Sequence, residues 1–367
     1  MGLHEQYGLT HVINARGPFT PLGVSRSDPR VADATAQALG GFFVMEEVQN
    51  LACRVLAEAT GAPAATVVHC TSSAITLAVA ASMTGSSPER IAALPNTAGM
   101  PTRVVLPAGH AVHYGHPLVQ DIRLAGATPV LAGTEEGCTP EGLEKELAHP
   151  DTACLLLVSS RLVRGAPVPL PDAVAAAHRR GVPVVVDGAA QDFRIAELLA
   201  TGADLVLVSG QKYLGSPTAG VVLGGVGPVT AVRAQEKGIG RAMKAGKEAV
   251  LGVLAALQVR RDTDLGAWQR AQTDKAARFV ERAGALPGIR AALASDPTGL
   301  PFPRASLRVD ADAALDAASL ARALRAGAPA IWVMDHRQDE GELLLELVPL
   351  TEEEIDVVLD RLGKLLG

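Results

Sequence analysis

The chain has 367 residues, of which 48% are hydrophobic, 20% charged and only 3% aromatic, with a net charge of −6. That length can bury a large core and suits one large and one small domain, and the composition excludes a disordered chain. An acidic balance with few aromatics argues against a basic nucleic-acid surface or a base-stacking platform, and no apolar run nears the ~18 residues that span a bilayer.

The first ~30 residues have little helical character and read as an N-terminal arm, 1–30. No basic stretch followed by an apolar one marks a secretory signal, and Gln6 stands where myristoylation requires Ser or Thr. The expected location is the cytoplasm. From about residue 60 to 225 short apolar runs alternate with helix-like stretches. Thr66–His69, Arg103–Leu106, Thr128–Leu131, Leu155–Val158, Pro183–Asp187, Leu205–Ser209 and Gly220–Leu223 read as strands. Helices are expected near Ser73–Met83, Pro117–Leu124, Pro140–Leu147, Pro171–Arg180 and Arg194–Leu199. Such alternation predicts an α/β fold with a mostly parallel seven-stranded sheet covered on both faces.

After Gly240 the pattern changes. Ala242–Val259 and Leu265–Ala285 are long and helix-favouring, so 31–240 reads as a large domain and 241–275 as linking helices. The tail alternates a strand (Arg304–Val309), a helix (Ala314–Ala326), two strands (Ala330–Asp335, Glu342–Leu347) and a helix (Glu352–Leu366). It predicts a small α+β domain over 276–367.

Chemistry concentrates at the strand ends. Asp187 closes the run Val184-Val-Val186, and Lys212 follows the strand ending at Ser209. In open α/β sheets ligands sit beyond the carboxyl ends of the strands, so both residues should face one crevice. An amine and an acid there match pyridoxal phosphate chemistry: the amine forms a Schiff base, and the acid keeps the ring nitrogen protonated. As a helix cap or surface charge each residue would be ordinary, but an acid ending an apolar strand needs a cation or donor.

Cys70-Thr-Ser-Ser-Ala74 opens a helix after a strand, so Thr71, Ser72 and Ser73 could cradle a phosphate or simply cap the helix. Gly109–His116 holds three histidines. Carboxylate or thiolate companions for a metal are lacking, and His110 is the candidate to stack on a planar cofactor and shuttle a proton. Ser209 is a further phosphate candidate. Arg241 and Lys244, among the glycines of Gly238–Glu248, and more weakly Arg164, are candidates for a substrate anion. The four cysteines form no Cys-x-x-Cys pair, and Cys70 and Cys154 read as inert thiols.

Taken in order, Val12–Gly17, Cys70–Ala74, Gly109–Tyr114, Val184–Ala190, Ser209–Leu214 and Gly238–Glu248 resemble the fold-type I pyridoxal phosphate enzymes. The branch they are most similar to contains L-seryl-tRNA selenium transferase and D-glucosaminate-6-phosphate ammonia-lyase. The resemblance implies the aspartate aminotransferase-like fold and pyridoxal 5'-phosphate as cofactor. It also implies a homodimer or larger homo-oligomer. Lys212 would be the Schiff-base lysine, Asp187 the partner of the ring nitrogen, His110 the stacking residue, and Thr71, Ser72 and Ser209 the phosphate holders. Gly188 and Gln191 depart from the branch, which often has Ala and an acid there.

The implied activity is α,β-elimination, of ammonia-lyase or dehydratase type, on a small amino acid or amino sugar acid. Transamination, racemisation and selenium transfer are the alternatives within the fold. A catalytically silent binding protein is the alternative outside enzymology. No Gly-x-Ser-x-Gly elbow supports a hydrolase.

Overall fold

The computed structural model describes residues 2–367, which form two compact units. One is Ser27–Arg261. The other joins the residues before Ser27 to Asp262–Gly367. The division differs from the expected arm and linker. Strand β1 (Val12–Asn14) belongs with the C-terminal residues, and the break after Arg261 falls within the stretch read as linking helices, 241–275.

The larger unit is built on β2 (Ala64–Val68), β3 (Arg103–Pro107), β4 (Thr128–Ala132), β5 (Thr152–Val158), β6 (Val184–Asp187), β7 (Leu205–Ser209) and β8 (Gly220–Gly224). Their order across the sheet is β2-β8-β7-β6-β5-β3-β4. Every neighbouring pair is parallel except those of β8, which runs antiparallel to both β2 and β7. The mostly parallel sheet follows from strands that are apolar on both sides. Val184 and Val186 enter one hydrophobic cluster and Val185 the other, as side chains alternating across a pleat must. The helix Thr71–Thr84 is buried along most of its length in the second cluster.

The helix expected from Ala242 begins only at Lys247. Glycines at 238, 240 and 246 disfavour an earlier start, and Ile239–Met243 form a 3₁₀ turn instead. The helices Pro29–Gly40 and Met45–Thr60 were not expected.

In the smaller unit β9 (Ile289–Ala294), β10 (Arg304–Val309), β12 (Met334–Arg337) and β13 (Glu342–Leu345) form an antiparallel sheet, while β11 (Ala330–Trp332) pairs in parallel with β1. The stretch read as one strand, Ala330–Asp335, is thus divided between two sheets. Arg16 marks the division, donating to the Val333 carbonyl at 3.2 Å and pairing with Asp335 at 2.6 Å. Strand β9 has the composition of a helix, and its pairing with β10 overrides that preference.

A buried ion network is anchored on β10. Arg304 pairs with Asp296 and, at 3.0 Å, with Glu346. A Cβ at Gly17, whose φ is +77°, would stand 2.6 Å from the Glu346 carboxyl. The last residue of Val12–Gly17 is therefore a glycine for reasons of space as well as backbone.

Candidate active site

Strand β2 is parallel to β7, because β8 between them opposes both. The C-terminal ends of β2, β5, β6 and β7 therefore share one edge of the sheet, and the candidate residues gather there.

Asp187 ends β6 and is 5% exposed. Its Oδ1 accepts the Ala189 amide at 3.0 Å. Burial lifts its pKa from 3.8 to about 6, against the pull of the Lys212 ammonium. Lys212 follows β7 in the turn after Gly210 and is half-buried. Burial depresses its pKa, opposed by Asp187 and Asp192 and assisted by Arg161. The expected pair is thus electrostatically coupled. An amine held below its ordinary basicity is a better nucleophile and base at neutral pH.

His110 ends a short 3₁₀ turn after β3 and is buried. The Val158 amide donates to its Nδ1 at 2.8 Å, so the hydrogen of the neutral ring sits on Nε2. Burial lowers its pKa to about 4. The proton-shuttling role expected of His110 is closed, since its basic nitrogen is occupied. What remains is a flat ring whose buried Nε2 has no hydrogen-bond partner.

The helix starting at Thr71 is capped by Cys70, whose Sγ meets the Ser73 amide and hydroxyl. Gly220 of β8 permits this approach: a Cβ there would lie 2.4 Å from the Cys70 carbonyl oxygen. The three hydroxyls are not equivalent. Thr71 Oγ1 is buried without a partner, whereas Ser72 donates to Asp121 at 2.6 Å. Ser72 therefore offers a lone pair rather than a donor, the opposite of what a phosphate needs. Ser209 is buried at the end of β7.

Arg241 and Lys244 are exposed on a segment that crosses the end of β2, where Lys244 bridges Val68 and the His69 amide donates to the Met243 carbonyl. Lys247 instead donates to the carbonyls of Leu39 and Gly41 at the C-terminal end of the helix Pro29–Gly40. Arg164 does not fulfil its expectation as an anion ligand at the edge: its exposed guanidinium pairs with an equally exposed Glu135 at 2.9 Å.

Several neighbours escaped the sequence reading. Asp121, on the helix Leu118–Leu124, is 1% exposed and accepts hydrogens from Ser72 and Tyr114. Desolvation raises its pKa, and its charge adds to the rise of Asp187. Asp192, also buried, pairs with Arg260 at 2.8 Å. Gly188 has a spatial reason too, since a Cβ there would fall 2.5 Å from Leu198 Cδ1.

These groups fit pyridoxal phosphate. A buried acid could meet the ring nitrogen, a coupled amine the aldehyde carbon, and a flat neutral imidazole one ring face. The unpartnered Thr71 hydroxyl stands at a helix N-terminus that attracts phosphate. Among the described residues no cluster of metal-ligating side chains is present.

The chain is similar to several known proteins. Residues 182–271 match the family described as L-seryl-tRNA selenium transferase. The chain is 37% identical to a 5'-C-glycyluridine monooxygenase-decarboxylase from Streptomyces, over 99% of this chain and 92% of that one. It is 32% identical to D-glucosaminate-6-phosphate ammonia lyase from Salmonella typhimurium, over 99% and 97% respectively. A solved D-glucosaminate-6-phosphate ammonia-lyase superposes with a TM-score of 0.90 at 33% identity, covering 100% of this chain and 98% of that one.

Proposed function

The chain belongs to the pyridoxal phosphate-dependent branch that holds L-seryl-tRNA selenium transferase and D-glucosaminate-6-phosphate ammonia-lyase, and within it we propose an ammonia-lyase acting on a small hydroxylated amino acid or amino sugar acid. The observation that carries this reading is the likeness over nearly the whole chain to D-glucosaminate-6-phosphate ammonia lyase, joined to a buried Asp187 and a half-buried Lys212 at adjacent strand ends.

When bound, pyridoxal phosphate supplies an electron sink for the charge left at the substrate Cα. Lys212 Nζ would hold the cofactor and would serve as general base toward the Cα proton. Asp187 would meet the ring nitrogen and favour its protonated form. His110 would cover a ring face as a neutral ring. Thr71, Ser73 and Ser209 would donate to the phosphate, while Ser72 is reserved by Asp121. Arg241 and Lys244, both exposed, would attract the substrate's anionic group at the rim.

Incubation with a panel of β-hydroxy amino acids and D-glucosaminate 6-phosphate tests the reading. Release of ammonia with a 2-keto acid is expected, and loss of both in Lys212→Ala. A protein that carries the visible cofactor band but frees no ammonia overturns the lyase assignment. Oxidative decarboxylation is the second reading, supported by the 37% likeness to the monooxygenase-decarboxylase. Its marks are dioxygen uptake and carbon dioxide release. Transfer to tRNA is disfavoured by the net charge of −6, and a tRNA gel shift at near-physiological salt would reverse that view.

A homo-oligomer is part of the proposal, supported by exposed apolar side chains at Leu39, Phe42 and Val44. Light scattering that finds a monomer removes it. A cytoplasmic location is proposed as well; no helix among the described residues is long and apolar enough to cross a membrane.

A further inference from the structure

Asp192 opens a short turn five positions after Asp187, and its side chain is 2% exposed. One carboxylate oxygen, Oδ2, accepts from Arg260 at 2.8 Å. The other, Oδ1, is buried and has no hydrogen-bond partner. Arg260 comes from the helix Lys247–Asp262 and does a second task. The same Nη2 donates to the carbonyl of Tyr213, the residue after Lys212, at 2.9 Å, while the guanidinium lies 4.0 Å over the Phe193 ring. A single cation thus ties Asp192 to the backbone that carries Lys212.

The charged groups acting on Lys212 are Asp187, Asp192 and Arg161. Those acting on Asp192 are Arg260 and Lys212. Asp187 is the stronger of the two acids acting on Lys212, and with its charge answered by the ring nitrogen in the proposed holoenzyme, Asp192 is the acid left to the amine. A half-buried ammonium requires a counterion, because desolvation disfavours its charge.

We propose that Asp192 is a positioning residue for Lys212, gripped by Arg260 so that Oδ1 receives the ammonium formed when Nζ takes the substrate proton. The step balances simply. The Cα–H bond breaks, its electron pair stays with the carbon and is drawn into the cofactor ring, and a new N–H bond forms on Nζ. Asp192, whose pKa burial raises against the pull of Arg260, exchanges no proton in this step. This inference rests on the cofactor assignment above and goes beyond it in naming where the proton's charge is held.

The test is a pH titration of the visible band in the holoenzyme, comparing wild type with Asp192→Asn and Asp192→Glu. Removing the carboxylate charge makes a proton on Nζ less favourable, so the midpoint should fall by at least about half a unit in Asp192→Asn. Turnover should drop about tenfold with KM unchanged, and Asp192→Glu should recover both. A midpoint that coincides with wild type overturns the inference while leaving the cofactor assignment intact. Absence of the band in the wild type overturns the assignment itself, and the inference with it. If Asp192→Asn loses the cofactor, amine-reactive labelling of Lys212 against pH in the cofactor-free protein reads the same shift, and an unchanged labelling midpoint again overturns the inference.

Discussion

The amide of Val158 donates to Nδ1 of His110 across 2.8 Å, linking the end of β5 to the turn after β3. That bond fixes the tautomer and removes His110 from acid–base work. His110→Phe preserves a flat ring, so cofactor affinity measured by spectrophotometric titration should stay within about tenfold, whereas His110→Ala loses more. The same His110→Phe change strands the Val158 amide, and urea unfolding should show a loss of about 1–3 kcal/mol.

Asp187 makes the cofactor-free protein sensitive to pH in a defined direction. Its folded pKa of about 6 lies above the ordinary 3.8, so between those values the folded state holds a proton that the unfolded state has lost. Stability should therefore fall as pH rises from about 4 to about 6, by roughly 3 kcal/mol, and stay lower above that range. Asp187→Asn should flatten this dependence and raise the melting temperature at pH 7 while abolishing turnover. A cofactor-free wild type that is no less stable at pH 7 than at pH 4.5, relative to Asp187→Asn, contradicts the argument.

Tyr114 donates its phenolic hydrogen to Asp121, and burial with this acidic neighbour holds its pKa well above the ordinary 10. The alkaline rise in tyrosine absorbance should be unchanged in Tyr114→Phe up to the pH where the protein unfolds. A smaller amplitude in the variant, with the fold intact, would show that Tyr114 ionises.

Arg304 answers two buried carboxylates, Asp296 and Glu346. Arg304→Met leaves both uncompensated and should destabilise the protein by about 3–5 kcal/mol in urea unfolding. A loss under about 1 kcal/mol would mean that the network is dispensable.

Much of the candidate site was legible because its leading residues stand at visible punctuation. Asp187 ends a run of valines, Lys212 follows an apolar strand, and Thr71 opens a helix after another. Period and position sufficed for these. Asp192, Arg260 and Asp121 belong to a different class, since each acquires meaning from a partner far along the chain. Arg260 meets Asp192 across 68 positions, and Ser72 meets Asp121 across 49. Locally they read as polar residues on amphipathic helices or turns. One signal was available: Asp121 falls on the same helical stripe as Leu118 and Ile122, where an acid is out of place unless it has donors. The division of Ala330–Asp335 had no such signal, because its halves are separated by partners distant in sequence, β1 for the first and β13 for the second, with Arg16 bonded at the break.

The reversal of β8 has a mechanical meaning. Every parallel connection in the sheet departs from the active edge and returns from the opposite one, but the Gly210–Ala219 loop leaves and re-enters at the same edge. Its neck is closed by the paired Ser209 and Gly220, both deep in the sheet. Lys212 is therefore carried on a tethered arc with two fixed ends. In the role proposed for Lys212, a side chain that would let go of one carbon and find it again each cycle would start every search from the same place.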